Sequence, residues 1–379
     1  MRMRGALVAM LCVLLAGAGC TSDDGGDVDP TGSDRAPSEV APLVTALPSM
    51  CEGVGPLPDE GEITFARGTL LFGVSPEGDG LRCITAVSGA NPFFWVPDGS
   101  AVVDVGFTAA EIVSEAGRDV ISGPDESPRF HGFSRPTGAS ALFTSITGKL
   151  LAKTSLSTGK TADISFLRRH DEVTFHPGGG QIAVTGETEE GVYGVFVATS
   201  EGEDFHLVVP SRDEDEFYGA AFSSDGSTLY YVDDQHSSFE VRAVDLAELQ
   251  EGIVVPKSRL LLEEKVPMSI MPSPFAEDLL AYRLGTCDDG FTTGILDGDD
   301  QRAVGRGLRE TQPIGWLPDG RLVIAATRDL CNPQRELDLY VVDGDTVELL
   351  VEDVAYAGVR AALPDAPRPV SGPVGPRED

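Results

Sequence analysis

The side chains best equipped for chemistry in this chain are few, and their spacing is informative. Five histidines are scattered along it, His131, His170, His176, His206 and His236. Nucleophilic hydrolysis would need a Ser or Cys beside a His and an acid, usually on a Gly-x-Ser-x-Gly elbow, and that elbow is absent. Phosphate-cradling glycine loops and a His-Glu-x-x-His helix are absent too. Arg168, Arg169 and His170 form the one compact basic cluster and would suit an anionic group. Asp297, Asp299 and Asp300, and again Asp343 and Asp345, have spacings that would suit calcium. They fall in a recurring turn, however, where Asp and Gly serve the backbone. Asp213, Glu214, Asp215, Glu216, Asp233, Asp234, His236, Asp288 and Asp289 differ, because no repeat requires them.

What must position these residues is a repeated turn phrase. It reads WVPDG at Trp95 to Gly99, FHPGG at Phe175 to Gly179, FSSDG at Phe222 to Gly226 and WLPDG at Trp316 to Gly320. Looser copies stand at Leu57 to Gly61, Arg135 to Gly138, Ser273 to Ala276 and Leu363 to Ala366. Asp-Gly between apolar runs is a hairpin signal, since Gly takes positive φ freely and Asp accepts from nearby backbone donors. A β-rich run follows each phrase, and a second turn lies about twenty residues on, as at Ser200 to Glu203 and Val342 to Asp345. Four short antiparallel strands per repeat of about 40 to 50 residues is a propeller blade. His176 lies inside a phrase and is expected to serve its turn.

The aromatic, Ser, Pro, Asp, Gly phrase resembles that of the TolB-like family, over the stretch from about Glu62 to Asp365. The resemblance implies a β-propeller used as a binding platform. The repeat marks, at positions 58, 97, 136, 177, 224, 274, 318 and 364, number eight. Gly358 to Leu363 reads as a small-residue inner strand for the first blade, whose other strands lie between Glu62 and Val87. The expected fold is therefore all-β, a seven-bladed β-propeller of four-stranded antiparallel blades closed by a C-terminal strand, with six or eight blades as alternatives. The propeller would span residues 49–366, and a tail without structure residues 367–379.

Arg2 and Arg4, the apolar run Ala6 to Ala16 and the small residues before Cys20 read as an export signal over residues 1–19. The site resembles a bacterial lipobox with Gly17 where Leu is usual, which implies lipidation of Cys20 and a stable membrane anchor. Residues 20–48 are rich in Asp, Gly, Pro and Ser and read as a tether. Exported chains favour disulfides. Cys287 and Cys331 each follow a second strand by a few residues, so they occupy equivalent loops of adjacent blades, and Cys51 is left for Cys83. The net charge of -33 argues against nucleic acid and favours basic partners.

These features specify a monomeric, non-catalytic, lipid-anchored extracytoplasmic propeller that binds a protein or envelope component. No cofactor is expected, with calcium as the alternative at the acidic turns. The binding face is expected among the connections from fourth to first and from second to third strands near blades five and six. The rival readings are a divalent-metal-dependent hydrolase of lactonase or glycan-cleaving type and a structural envelope lipoprotein without a specific ligand.

Overall fold

The computed structural model describes residues 42–44, 47, 51, 55–57, 59–87, 93–96, 100–105, 110–114, 117–121, 129–134, 138–211, 216–235, 238–250, 255–266, 268–332 and 336–360. The export signal, Cys20 and residues 367–379 lie outside them. Among the described residues, twenty-eight strands are arranged in seven four-stranded antiparallel sheets. The first blade contains β1 (Ile63–Arg67), β2 (Leu70–Val74) and β3 (Arg82–Ala86). The second contains β4 (Phe93–Trp95), β5 (Ala101–Val105), β6 (Ala110–Ser114) and β7 (Gly117–Ile121). The third contains β8 (Arg129–Phe133), β9 (Ser140–Thr144), β10 (Leu151–Ser155) and β11 (Thr161–Asp163). The fourth is β12 (Arg169–Phe175), β13 (Gln181–Glu187), β14 (Tyr193–Thr199) and β15 (His206–Pro210). The fifth is β16 (Glu216–Phe222), β17 (Thr228–Asp234), β18 (Phe239–Asp245) and β19 (Ser258–Glu264). The sixth is β20 (Met268–Pro272), β21 (Leu279–Thr286), β22 (Gly290–Asp297) and β23 (Asp300–Val304). The seventh is β24 (Glu310–Trp316), β25 (Leu322–Thr327), β26 (Leu337–Asp343) and β27 (Thr346–Val354).

Closure is by β28 (Tyr356–Val359), which pairs antiparallel with β1 as the inner strand of the first blade. The ring of seven blades is thus joined by the C-terminal strand, as the repeat register implied. The strand begins at Tyr356, two residues before its expected start at Gly358, because only Ala355 separates it from β27. The chain therefore passes from the outer edge of the last blade to the inner strand of the first almost without a loop.

Each pair of neighbouring blades encloses one apolar core. Blades seven and one bury Phe65, Phe72, Leu339 and Leu350, and blades three and four bury Leu142, Leu151, Ile182 and Phe196. Strands packed on both sides need apolar residues on both faces. The middle strands β13, β14 and β17 accordingly bury five consecutive residues each. The two tryptophans of the turn phrases latch neighbouring blades, since Trp95 Nε1 donates to Thr64 Oγ1 at 2.7 Å and Trp316 Nε1 to the Met271 carbonyl at 3.1 Å. Trp316 is buried and Trp95 partly so, and the single donor of each finds a partner across the interface.

Packing on the propeller begins before residue 49, the expected boundary. Leu43 N and Val44 N donate to the carbonyls of Leu349 and Leu350 in β27, and Val44 is buried in the core between blades seven and one. Both disulfides form in the expected pairing, Cys51 with Cys83 and Cys287 with Cys331, at Cα separations of 5.4 and 5.7 Å. The first ties the entry segment to β3. The second joins the loops after the second strands of blades six and seven. Among the described residues no helix is long and apolar enough to cross a membrane.

Candidate functional site

The propeller has two unlike faces. The upper face carries the loops between second and third strands and the crossovers between blades, and the lower face carries the turn phrases. Asp233, Asp234, Asp288, Asp289 and the Arg168 to His170 cluster all lie toward the upper face.

The basic cluster is engaged within the protein. Arg168 Nη1 lies 3.5 Å from Glu187 Oε1, and Arg169 reaches Asp171 Oδ2 at 3.0 Å while covering the Tyr193 ring at 5.3 Å. Burial works against the Arg169 charge, but Asp171 outweighs it and the pKa is raised. His170, expected to face an anion, instead points inward with 1% exposure. Its Nδ1 meets the Gly148 carbonyl at 3.0 Å, and its Nε2 accepts from Phe166 N and Leu167 N at 3.3 and 3.2 Å. Burial lowers its pKa, so it is a neutral bracket between blades three and four. The anion-site expectation fails for His170 because both ring nitrogens are already spent on backbone groups.

The acidic candidates divide in the same way. Asp233 is buried opposite Glu240 on the adjacent strand, and Arg242 sits between them, 3.7 Å from Asp233 Oδ2 and 2.5 Å from Glu240 Oε2. Gln235 Nε2 donates to both carboxylates at 3.1 Å. Asp234 accepts from the Tyr218 hydroxyl at 2.7 Å, which with burial pushes the phenol pKa up. Glu216, Asp288 and Asp289 are exposed. Asp289 is steadied by Thr286, whose hydroxyl donates to its Oδ2 at 3.0 Å. Asp288 and Asp289 follow Cys287 directly, so the bridge to Cys331 fixes the loop that carries them. Asp213, Glu214, Asp215 and His236 lie outside the described residues.

Between the faces runs the channel lined by the inner strands. Glu172 crosses from β12 to accept a hydrogen bond from Gly219 N in β16, and the surrounding protein raises its pKa by desolvation. Bulges interrupt the inner strands here, between His170 and Glu172 and between Tyr218 and Ala221. A bulge re-aims side chains. A third, between Phe130 and Gly132, turns His131 toward the lower mouth.

At that mouth lies a cavity of about 230 Å³, which the sequence did not reveal. Its walls include Phe133, Phe175 and Phe222, the residues that end the inner strands of blades three, four and five. His131 Nε2 bonds Thr144 Oγ1 at 2.7 Å, and burial drives its pKa down to about 4. The one available signal was the phrase's first residue, Phe at Phe175 and Phe222 and Trp at Trp95 and Trp316. The phrase's carboxylates do serve the turn: Asp225 accepts from Ser223, from Ser227 N and from Ser227 Oγ, and these bonds outweigh burial to lower its pKa. His176 also serves its turn, its Nδ1 accepting from Gly178 N at 2.9 Å, although it is buried and not at the surface.

Asp297, Asp299, Asp300, Asp343 and Asp345 are all exposed. Among the described residues, no three His, Cys, Asp or Glu side chains come together as a metal-binding group.

No protein-family model and no curated protein sequence matches the chain. Solved structures do match. An oligogalacturonate lyase in complex with manganese is 14% identical, with a TM-score of 0.54 over 76% of this chain and 90% of its own. A prolyl endopeptidase is 14% identical, with a TM-score of 0.55 over 80% of this chain and 50% of its own. A putative TolB from Agrobacterium tumefaciens is 15% identical, with a TM-score of 0.48 over 70% of this chain and 96% of its own. At such identities the likeness of the lyase and the endopeptidase establishes the β-propeller fold and nothing finer.

Proposed function

We propose that this chain is a non-catalytic, extracytoplasmic propeller that binds a positively charged protein or envelope component through the upper face of blades five and six. One observation carries the reading: exposed Asp288 and Asp289 sit in a loop covalently joined to the next blade, so the acidic edge is held in shape before a partner arrives. Such preorganisation lowers the ordering cost of association. Arg169 and Arg242 are drawn into pairs of their own, while exposed Lys265, Arg309 and Arg328 share the face. A net charge of -33 adds long-range attraction for basic surfaces.

Two disulfides suit an oxidising compartment outside the cytoplasm. Lipidation of Cys20 would supply the membrane attachment, with the tether leading toward the blade-seven edge where residues 42–44 dock. Cys20→Ser should move the protein from the membrane to the soluble fraction, and continued attachment would refute the anchor. The partner is sought by capture from detergent-solubilised envelopes with two baits, the native chain and Asp288→Lys with Asp289→Lys. A species held by the first and lost from the second supports the reading. Equal capture by both baits refutes it.

A further inference from the structure

The disulfide-bridged corner of the upper face carries charges of both signs. Asp288 and Asp289 stand on one of the two joined loops, and Arg328 stands on the other, three residues before Cys331. Arg309 adjoins it: the antiparallel register of β24 and β25 opens with Glu310 opposite Thr327, so Arg309 and Arg328 are the next pair out. Both are exposed, and like charges set opposite one another repel. The carboxylates next to them along the chain give no relief, because each is bound to backbone. Glu310 Oε2 accepts from Leu330 N at 2.6 Å, and Asp329 Oδ1 from Cys331 N at 2.9 Å and Asn332 N at 3.1 Å. Among the described residues neither arginine has an ion pair. Glu310 also holds the corner together, since its side chain lies against Gly290, whose absent Cβ would stand 3.3 Å from Oε1.

Two acids and two arginines on one braced corner restrict what can bind there. Nucleic acid and other polyanions meet Asp288, Asp289 and a net charge of -33. A purely basic segment gains from the acids but is repelled by the arginines, and a repulsive group of this kind contributes to specificity. A segment with a carboxylate beside its basic side chains satisfies both pairs, since an arginine fork takes a carboxylate through two parallel hydrogen bonds. A single zwitterionic lipid headgroup brings one charge of each sign, and the corner offers two.

Resting on the reading of Asp288 and Asp289 as the site for a partner's basic group, we infer that Arg309 and Arg328 bind a carboxylate of the same partner. The edge then recognises a protein segment in which acidic side chains lie next to basic ones. A chain this acidic attracts any polycation at long range. Arg309 and Arg328 turn that attraction into selection.

The test is calorimetric titration of the full chain at ~0.15 M salt, where long-range attraction is screened, with two acetylated, amidated peptides. One has three lysines, two glycines and three glutamates, and the other has glutamines in place of the glutamates. The glutamate peptide should bind about tenfold more tightly, the effect of one hydrogen bond to a charged group. Unselective attraction to an acidic chain gives the opposite order. Arg309→Gln with Arg328→Gln should reverse the preference, and continued binding of the glutamine peptide shows that this variant is folded. Asp288→Lys with Asp289→Lys should weaken both peptides. Equal or weaker binding of the glutamate peptide by the native chain, no binding of either, or a preference that survives the arginine replacements overturns the inference. Tighter binding of glycerophosphoethanolamine than of the glutamate peptide assigns the corner to a lipid headgroup and overturns it as well. The upper-face reading fails separately, when the lysine replacements leave both peptides bound as before.

Discussion

The two mouths of the channel are made from the same seven repeats and have opposite chemistry. At the upper face charges are dense, and several are neutralised by close partners: Arg169 by Asp171, and Asp233 and Glu240 by Arg242. At the lower mouth the turn phrase recurs, and the cavity has no charged side chain in its lining. The contrast follows from what each face must do. The lower turns share a tight backbone turn, so most copies keep Pro, Asp or Gly there while the residue before them varies, as between Phe222 and Trp316. The upper loops obey no common geometry and can accumulate charge, provided that buried members are paired.

If the upper face is held in shape by its bridge, breaking the bridge should give the largest effect. Cys331→Ser opens a closure of 44 residues and should cost about 4 kcal/mol in chemical denaturation by the loop-entropy relation. Cys287 should then be the free thiol, and labelling at Cys51 would contradict the pairing. The lower mouth should be exposed instead by acid. The His131 pKa falls from 6.5 to about 4 in the folded chain, so between those values the unfolded chain binds more protons. Its stabilising contribution is present above about pH 6.5 and is lost as pH falls toward 4, on the order of 3 kcal/mol. Denaturation across this range should show the loss, and His131→Gln should flatten it. His170 shifts in the same direction through burial and adds to the slope. The smallest effect belongs to the latches. Trp316→Phe removes the 3.1 Å bond to Met271 and should cost about 1 kcal/mol, read by the same denaturation.

Much of the architecture could be read from the repeat. Turn phrases, the pairing of Cys287 with Cys331 and the supply of an inner strand by the C-terminal segment all depend on register, which sequence spacing records directly. The sites depend on features that spacing does not record. The bulges beside His131 and Asp171 shift the two-residue alternation by one, and Gly132, at positive φ, is the one local hint of the first. The pairing of Arg242 with Asp233 requires two strands to meet in a particular register. His170 follows two arginines and looks basic and exposed in sequence, whereas its ring turns inward to the Gly148 carbonyl of the preceding blade. The cavity is a void between blades, and a void has no residues of its own to read.

The central claim, that the acidic upper edge recognises a basic partner, is tested most directly by paired capture from solubilised envelopes using the native chain and the Asp288→Lys, Asp289→Lys chain. The account predicts a partner retained by the native chain, released by rising salt and absent from the charge-reversed bait. Recovery of the same species in equal amounts on both baits would contradict it.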